Sequence, residues 1–204
     1  MKKYTIHLCI LSISAIILGL GCVFFIRAML GSDAMTSFSQ GLSMVLPFSL
    51  STCYAGLNFV MFFIALIFDK QQVGLGTLIF PIISAKAIDI GMLYIPSFHR
   101  LRFLAFLLGL ILIAFAVALA SKTECGKNPN DAMNFALMKL SHLPYNILRA
   151  IVDALMLITG ILLGGQWGIG TVLAVCSIGT IALYFMNWMD QSPFFNQLLL
   201  RQKR

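Results

Sequence analysis

Charge is scarce in this chain and acid is scarcest: Asp and Glu number 7 of 204 residues, and all charged residues make up 10%. Soluble domains carry roughly a quarter, so a water-facing globular surface is excluded. The chain also has only three histidines and five cysteines. Cys9, Cys22, Cys53, Cys125 and Cys176 are odd in number, lie in or beside apolar runs and have no metal-ligand spacing with His7, His99 or His142, which argues against a disulfide framework and a zinc site. No Ser, Cys or carboxylate pair stands beside a histidine at a spacing that makes a nucleophile or metal site, so neither enzyme chemistry nor a cofactor is expected. The net charge of +7 is carried at the ends of apolar runs. Charge so placed orients helices in a bilayer and does not mark a nucleic-acid partner.

What the chain has in abundance is hydrocarbon: 60% of its residues are apolar and the mean hydropathy is +0.95. Six stretches, 4–27, 48–68, 73–94, 101–121, 145–164 and 168–189, are long enough to cross about 30 Å of bilayer at about 1.5 Å per residue. The first is too long for a signal-peptide core and meets Arg27 where a cleavage site would need small residues. With six spans and a cytoplasmic N-terminus, ten flanking Lys and Arg fall inside against three outside, so both termini are expected in the cytoplasm of a multi-pass plasma-membrane protein. An eight-span alternative moves the basic loop at 95–102 inside.

The chain reads as a duplication. VGLGT at 73–77 and WGIGT at 167–171 match, with Gly74, Gly76 and Thr77 facing Gly168, Gly170 and Thr171 at a spacing of 94 (168 − 74). Upstream, Gly31 and Gly126, Leu42 and Leu137, Ala55 and Ala150, and Asn58 and Asp153 pair at 95 (126 − 31). The matched DAM triplets at 33–35 and 131–133 would require 98 and break this register. The halves are 1–94 and 95–189, followed by a basic cytoplasmic tail, 190–204, in which RQKR follows an apolar stretch at 194–200.

In each half a segment too short to cross, 32–46 or 127–141, joins the first two spans. Met35, Phe38, Leu42 and Val45 oppose Thr36, Ser37, Ser39, Gln40 and Ser43, a helical period. Two readings are open, an amphipathic helix at the interface or a re-entrant half-helix. The expected fold is therefore all-α: about six transmembrane helices arranged as two three-helix repeats, each with a short amphipathic or re-entrant helix. Three crossings per repeat make the second copy insert upside down, as in many secondary transporters.

Several motifs carry a family resemblance. Gly126-x-x-Pro129-x-Asp131, Leu143-Pro144, LLGG at 162–165, G-x-G-T at 168–171 and Ile178-Gly179, with QGLS at 40–43, G-x-G-T at 74–77 and Ile88-Asp89 in the first half, resemble the YczE/YyaS/YitT family of bacterial membrane proteins. The resemblance spans nearly the whole chain and implies a fold and a location, not an activity. Where the family tends to have Pro-Trp-Asp, this chain has Ala34-Met35-Thr36, with the acid displaced to Asp33.

Ionisable residues inside apolar runs are the candidate pathway. Lys86 and Asp89, at i and i+3, are expected to share a helix face and to pair within the bundle or at a wet cavity, as a proton or cation site or as a structural pair. Arg149 and Asp153 repeat the pattern at i and i+4. Asn58 and Asp153 are expected either to bond across the axis between the halves or to line a pathway. Asp33 and Asp131 are read as caps of the short helices, or, with Pro129 preorganising the second, as the rim of a polar cavity. The GxGT glycines read as packing devices, with Thr77 and Thr171 bonding back to their own helices. The expected partners are the bilayer, a small solute and a coupling ion; the competing reading is a non-transporting accessory or regulatory protein.

Overall fold

The computed structural model describes residues 2–193 and 195, which form eight α-helices and one 3-10 turn, with no strand among the described residues. The helices are α1 (Lys2–Ala28), α2 (Ala34–Val45), α3 (Leu50–Phe68), α4 (Leu75–Tyr94), α5 (Arg102–Ser121), α6 (Pro129–Ser141), α7 (Tyr145–Leu162) and α8 (Ile169–Gln191); the turn, Lys70–Gln72, joins α3 to α4. Five of these, α1, α3, α4, α5 and α8, are long and apolar enough to cross a bilayer. The protein is membrane-embedded. The stretch expected to span at 145–164 forms α7, which is not among the five. It presents Ile147, Ile151, Leu155, Ile158 and Leu162 outward as one stripe and turns Arg149 inward. The basic tail expected at 190–204 lies mostly outside the described residues.

The helix boundaries follow from local chemistry. Asp33 starts α2 by accepting the Thr36 N–H, Ser49 starts α3 by accepting the Thr52 N–H at 3.2 Å after Pro47, and Asn128 starts α6 by accepting the Asn130 N–H at 3.2 Å, with Pro129 at the first helical position. These starts keep the register read from the motifs. α2 and α6 begin at 34 and 129, α3 and α7 at 50 and 145, each 95 apart, and α4 and α8 at 75 and 169, 94 apart. Asp33 is thus the counterpart of Asn128, not of Asp131. The cap expected at Asp131 is absent, because that side chain lies in the first turn and is drawn to Arg149.

The core is a crossing of the two first helices. Phe25 stacks on Phe106 with ring centroids 4.8 Å apart, Ser14 donates to the Ala116 carbonyl at 2.7 Å, and the His7 Nδ1 accepts from the Glu124 N–H at 3.4 Å. Residue numbers rise on one helix as they fall on the other, so α1 and α5 run antiparallel. His7 is 2% exposed in this crossing. On either side the fourth helix of each half runs parallel to its first. The Arg27 guanidinium donates to the Met92 carbonyl, both near helix ends, and Lys122 pairs with Asp190 at 2.6 Å.

The short helices pack across the halves: α2 lies along α7, and α6 lies along α3. Small residues allow both crossings, Gly41 meeting the Gly160 carbonyl and Ala136 clustering with Ala65, and both pairs are related by 95 (136 − 41 and 160 − 65). Twelve residues of α2 span only about 18 Å, yet the helix does not lie on the surface. Its polar face is the buried one: Thr36, Ser37 and Ser39 are 0% exposed. Each hydroxyl is satisfied, by Cys22 Sγ at 3.4 Å, the Gln166 carbonyl at 2.9 Å and the Met35 carbonyl at 2.8 Å respectively. A hydroxyl withdrawn from water must find a partner in the protein, and α2 is packed so that each does.

Candidate functional site

The GxGT motifs are where one half docks on the other. The Gly76 N–H donates to the Cys125 carbonyl at 2.9 Å, and the Gly170 N–H donates to the Leu30 carbonyl at 2.8 Å. The next residue after each carbonyl is Gly126 or Gly31, at φ +104 and +110, a left-handed conformation that glycine adopts without strain. A Cβ on Gly126 would strike Thr77 Oγ1 and the Gly74 backbone, and one on Gly31 would strike Thr171 Oγ1 and the Gly168 backbone. These residues make two reciprocal backbone-to-backbone seats, five to each. The Thr77 hydroxyl accepts the Gly74 N–H at 3.2 Å. This corrects the expected bond back to a helix carbonyl, and the buried Thr171 Oγ1 has no hydrogen-bond partner.

The helices enclose a two-lobed cavity, the lobes meeting at Val117, Asn128, Arg149, Ile178 and Gly179. Its first lobe, about 320 Å³, is lined from α1, α5, α3, α7, α8 and the starts of α2 and α6. The lining falls largely into repeat pairs at 95: Leu18 and Ile113, Cys22 and Val117, Asp33 and Asn128, Met35 and Asn130, Tyr54 and Arg149, Asn58 and Asp153. Both short helices therefore aim their N-termini at one polar space. The second lobe, about 400 Å³, shares Asn128 and Arg149 and continues past Lys127, Asp131 and Tyr145 between α7 and α8.

Arg149 organises the polar wall. Its guanidinium sits 2.9 Å from Asp131 and 3.7 Å from Asp153, and it donates to the Tyr145 hydroxyl at 3.0 Å, which itself donates to Asp131 at 2.8 Å. Lys127 lies 3.2 Å over the Phe135 ring at the mouth. Asn58 donates to the Tyr54 carbonyl at 2.9 Å. No hydrogen bond joins Asn58 to Asp153 among the described residues. Asp33 accepts the Thr36 N–H with one oxygen, while the other, Oδ1, is buried without a partner. Burial pushes the Asp33 carboxyl above the ordinary carboxylate range, against the hydrogen bonds from Thr36.

Lys86 and Asp89 are elsewhere. Both are exposed on the outer face of α4, in line with Leu78, Ile82 and Leu93. Asp89 takes the Ser51 hydroxyl, and no ion pair joins it to Lys86 among the described residues. The expected inward-facing pair is not formed. Depth measured from Val73 misleads, since Asp89 lies five residues, about 7.5 Å, from the end of α4 at Tyr94. A carboxylate so near a helix end needs only the α3 start beside it.

Of the expected pathway residues the structure gathers Asn58, Arg149, Asp153 and Asp131 and leaves out Lys86 and Asp89. Asp33, read as a cap or as the rim of a polar cavity, is in the lining as well, and the structure adds Cys22, Tyr54, Asn128, Asn130, Tyr145 and Lys127. The register held the signal for several of these, because Tyr54 and Arg149, like Asp33 and Asn128, are polar positions repeated at 95.

Residues 5–187 match the model of a family of unknown function, DUF6198. The chain is 30% identical over 181 residues to an uncharacterised protein of Haemophilus influenzae, covering 87% of this chain and 82% of that one. It is 26% identical over 184 residues to the uncharacterised protein YyaS of Bacillus subtilis, covering 88% and 92%. No solved structure matches. The match across nearly the whole chain makes this protein a member of the DUF6198 family, a YyaS-like group.

Proposed function

We propose that this protein is a secondary carrier of a small solute, built from two inverted repeats and working through the cavity between them. One observation carries the reading: the lining of the first lobe pairs residue by residue at the repeat spacing, so the cavity sits where an axis relating the halves would pass. The antiparallel run of α1 against α5, the first helices of the two halves, supports inversion. Carriers of this kind bind near the midplane at short helices whose N-termini face the site and alternate access by rocking one repeat against the other, and α2 and α6 are placed for that.

Six crossings, α7 among them, fit this reading, with the polar face of α7 turned to the cavity and its apolar stripe to lipid. The N-terminus and the Lys122 and Lys127 region then lie on the cytoplasmic side of the plasma membrane. No enzymatic step is required of any residue.

The test is flux. Purified full-length protein in liposomes, screened against sodium, amine and small organic-acid gradients, should accelerate at least one solute over empty vesicles. Asp153→Asn should abolish that flux while eluting as folded protein, whereas Lys86→Ala should transport normally. An intact protein that moves none of these, yet copurifies in fixed ratio with another membrane protein, would favour the accessory role.

A further inference from the structure

The cavity has a charge imbalance that its own residues do not resolve. Its two lobes are lined by three carboxylates, Asp33, Asp131 and Asp153, and two cations, Arg149 and Lys127. Arg149 is shared by Asp131 and Asp153, and Lys127 stands over Phe135 on the Asp131 side of the mouth. Asp33 is left over. Its Oδ1 is buried without a hydrogen-bond partner, and Asp33 lines the first lobe. A carboxylate oxygen removed from water without a donor or counter-ion is costly.

We infer that Asp33 is the counter-ion of a small monovalent cation, inorganic sodium or the ammonium group of a protonated amine, bound in the first lobe. The remaining wall suits that guest. Tyr54 and Asn58 rise from α3, and Leu18 and Met35 supply apolar surface for a short alkyl group. An anion is the poorer fit although two helix N-termini face the space. The α2 terminus is already occupied by the Asp33 carboxylate, the α6 terminus by the Asn128 amide oxygen, and the Arg149 guanidinium by two acids. The assignment names the ligand class of the site in the carrier reading and rests on that site, but binding is measured without transport.

The other half supplies the control. Asn128 caps α6 at the position where Asp33 caps α2, and Asn caps a helix about as well as Asp. Asp33→Asn therefore removes the charge and keeps the fold.

Full-length protein in nanodiscs would be titrated calorimetrically with sodium chloride, sodium gluconate and methylammonium chloride. At least one cation should bind the wild type, sodium acting equally with either anion, and Asp33→Asn should weaken that binding by about tenfold or more. The melting temperature of the variant without ligand reports that it is folded. Lys86→Ala should bind as wild type. Equal binding by wild type and Asp33→Asn, a response that follows the anion, or no cation binding at any pH up to 9 in this series would overturn the inference. Binding without flux in liposomes would leave Asp33 as a cation site and remove the carrier reading, so the two failures are distinguishable.

Discussion

At the scale of single residues, stability turns on places where backbone meets backbone. Gly31→Ala and Gly126→Ala each force a Cβ onto a positive φ and against a Thr and a Gly of the opposite half, so each should cost about 1–3 kcal/mol and lower the melting temperature in detergent. Gly56 is the internal control. Nothing lies within 4 Å of a Cβ there, and in mid-helix Gly56→Ala should stabilise by about 0.5–1 kcal/mol. Arg149 holds two carboxylates, so Arg149→Ala strands both. We expect a loss of about 3–5 kcal/mol, partly recovered in Arg149→Ala with Asp131→Asn; full additivity of the two changes would contradict a shared pair.

Asp33 gives a pH signature at the same scale. The groups around it are Cys22 on α1, Tyr54 on α3 and Arg149 and Asp153 on α7. Since burial raises its carboxyl, protons compete with a cation over a range above the usual carboxylate titration. Cation affinity should therefore rise with pH through that range, and Asp33→Asn should flatten the profile.

At the scale of elements, the short helices are the informative ones. A 12-residue segment with alternating polar and apolar faces suits an interface and a protein interior equally well, because periodicity reports two faces and not which is wet. What decides is the set of partners for Thr36, Ser37 and Ser39, supplied by Cys22, Gln166 and α2 itself. α4 shows the reverse error. Lys86 and Asp89 were legible as charges within an apolar run, but the face they occupy depends on where α1 and α3 pack, which no spacing within α4 contains. Accordingly Lys86→Leu, which replaces an unpaired charge by apolar surface, should raise the melting temperature or leave it unchanged; a loss of more than about 1 kcal/mol would indicate a partner on that face.

For the whole molecule, the halves interlock and do not sit side by side, since α2 is held by α7, α6 by α3, and each GxGT by the glycine turn of the other half. The two halves also differ. α3 packs along α4, whereas the second lobe of the cavity occupies the corresponding place between α7 and α8. The topology is testable directly. Arg27, at the end of α1, reaches Ser97 at 3.3 Å, so a tag within 96–101 must lie on the opposite face of the membrane from an N-terminal tag. Labelling of both tags from one side of intact cells would exclude the arrangement.

The sequence by itself determined the solvent, the helices and the register. Apolar length marks the candidate spans, Asp33, Ser49 and Asn128 fix where helices start, and a constant offset of 94 or 95 fixes which positions of the two halves correspond. Only the tertiary structure decided which face of each helix is inward. A hydrophobic helix in lipid has no wet side to announce its orientation, so the inward face is set by close approach of small residues and by polar groups seeking one another across the halves. That is why Asn58 and Asp153 could be paired from the register alone, while Asp33 was separated from Asp131 as the acid without a cationic partner, and Lys86 ceased to be a candidate, only once α2, α7 and α4 were in place.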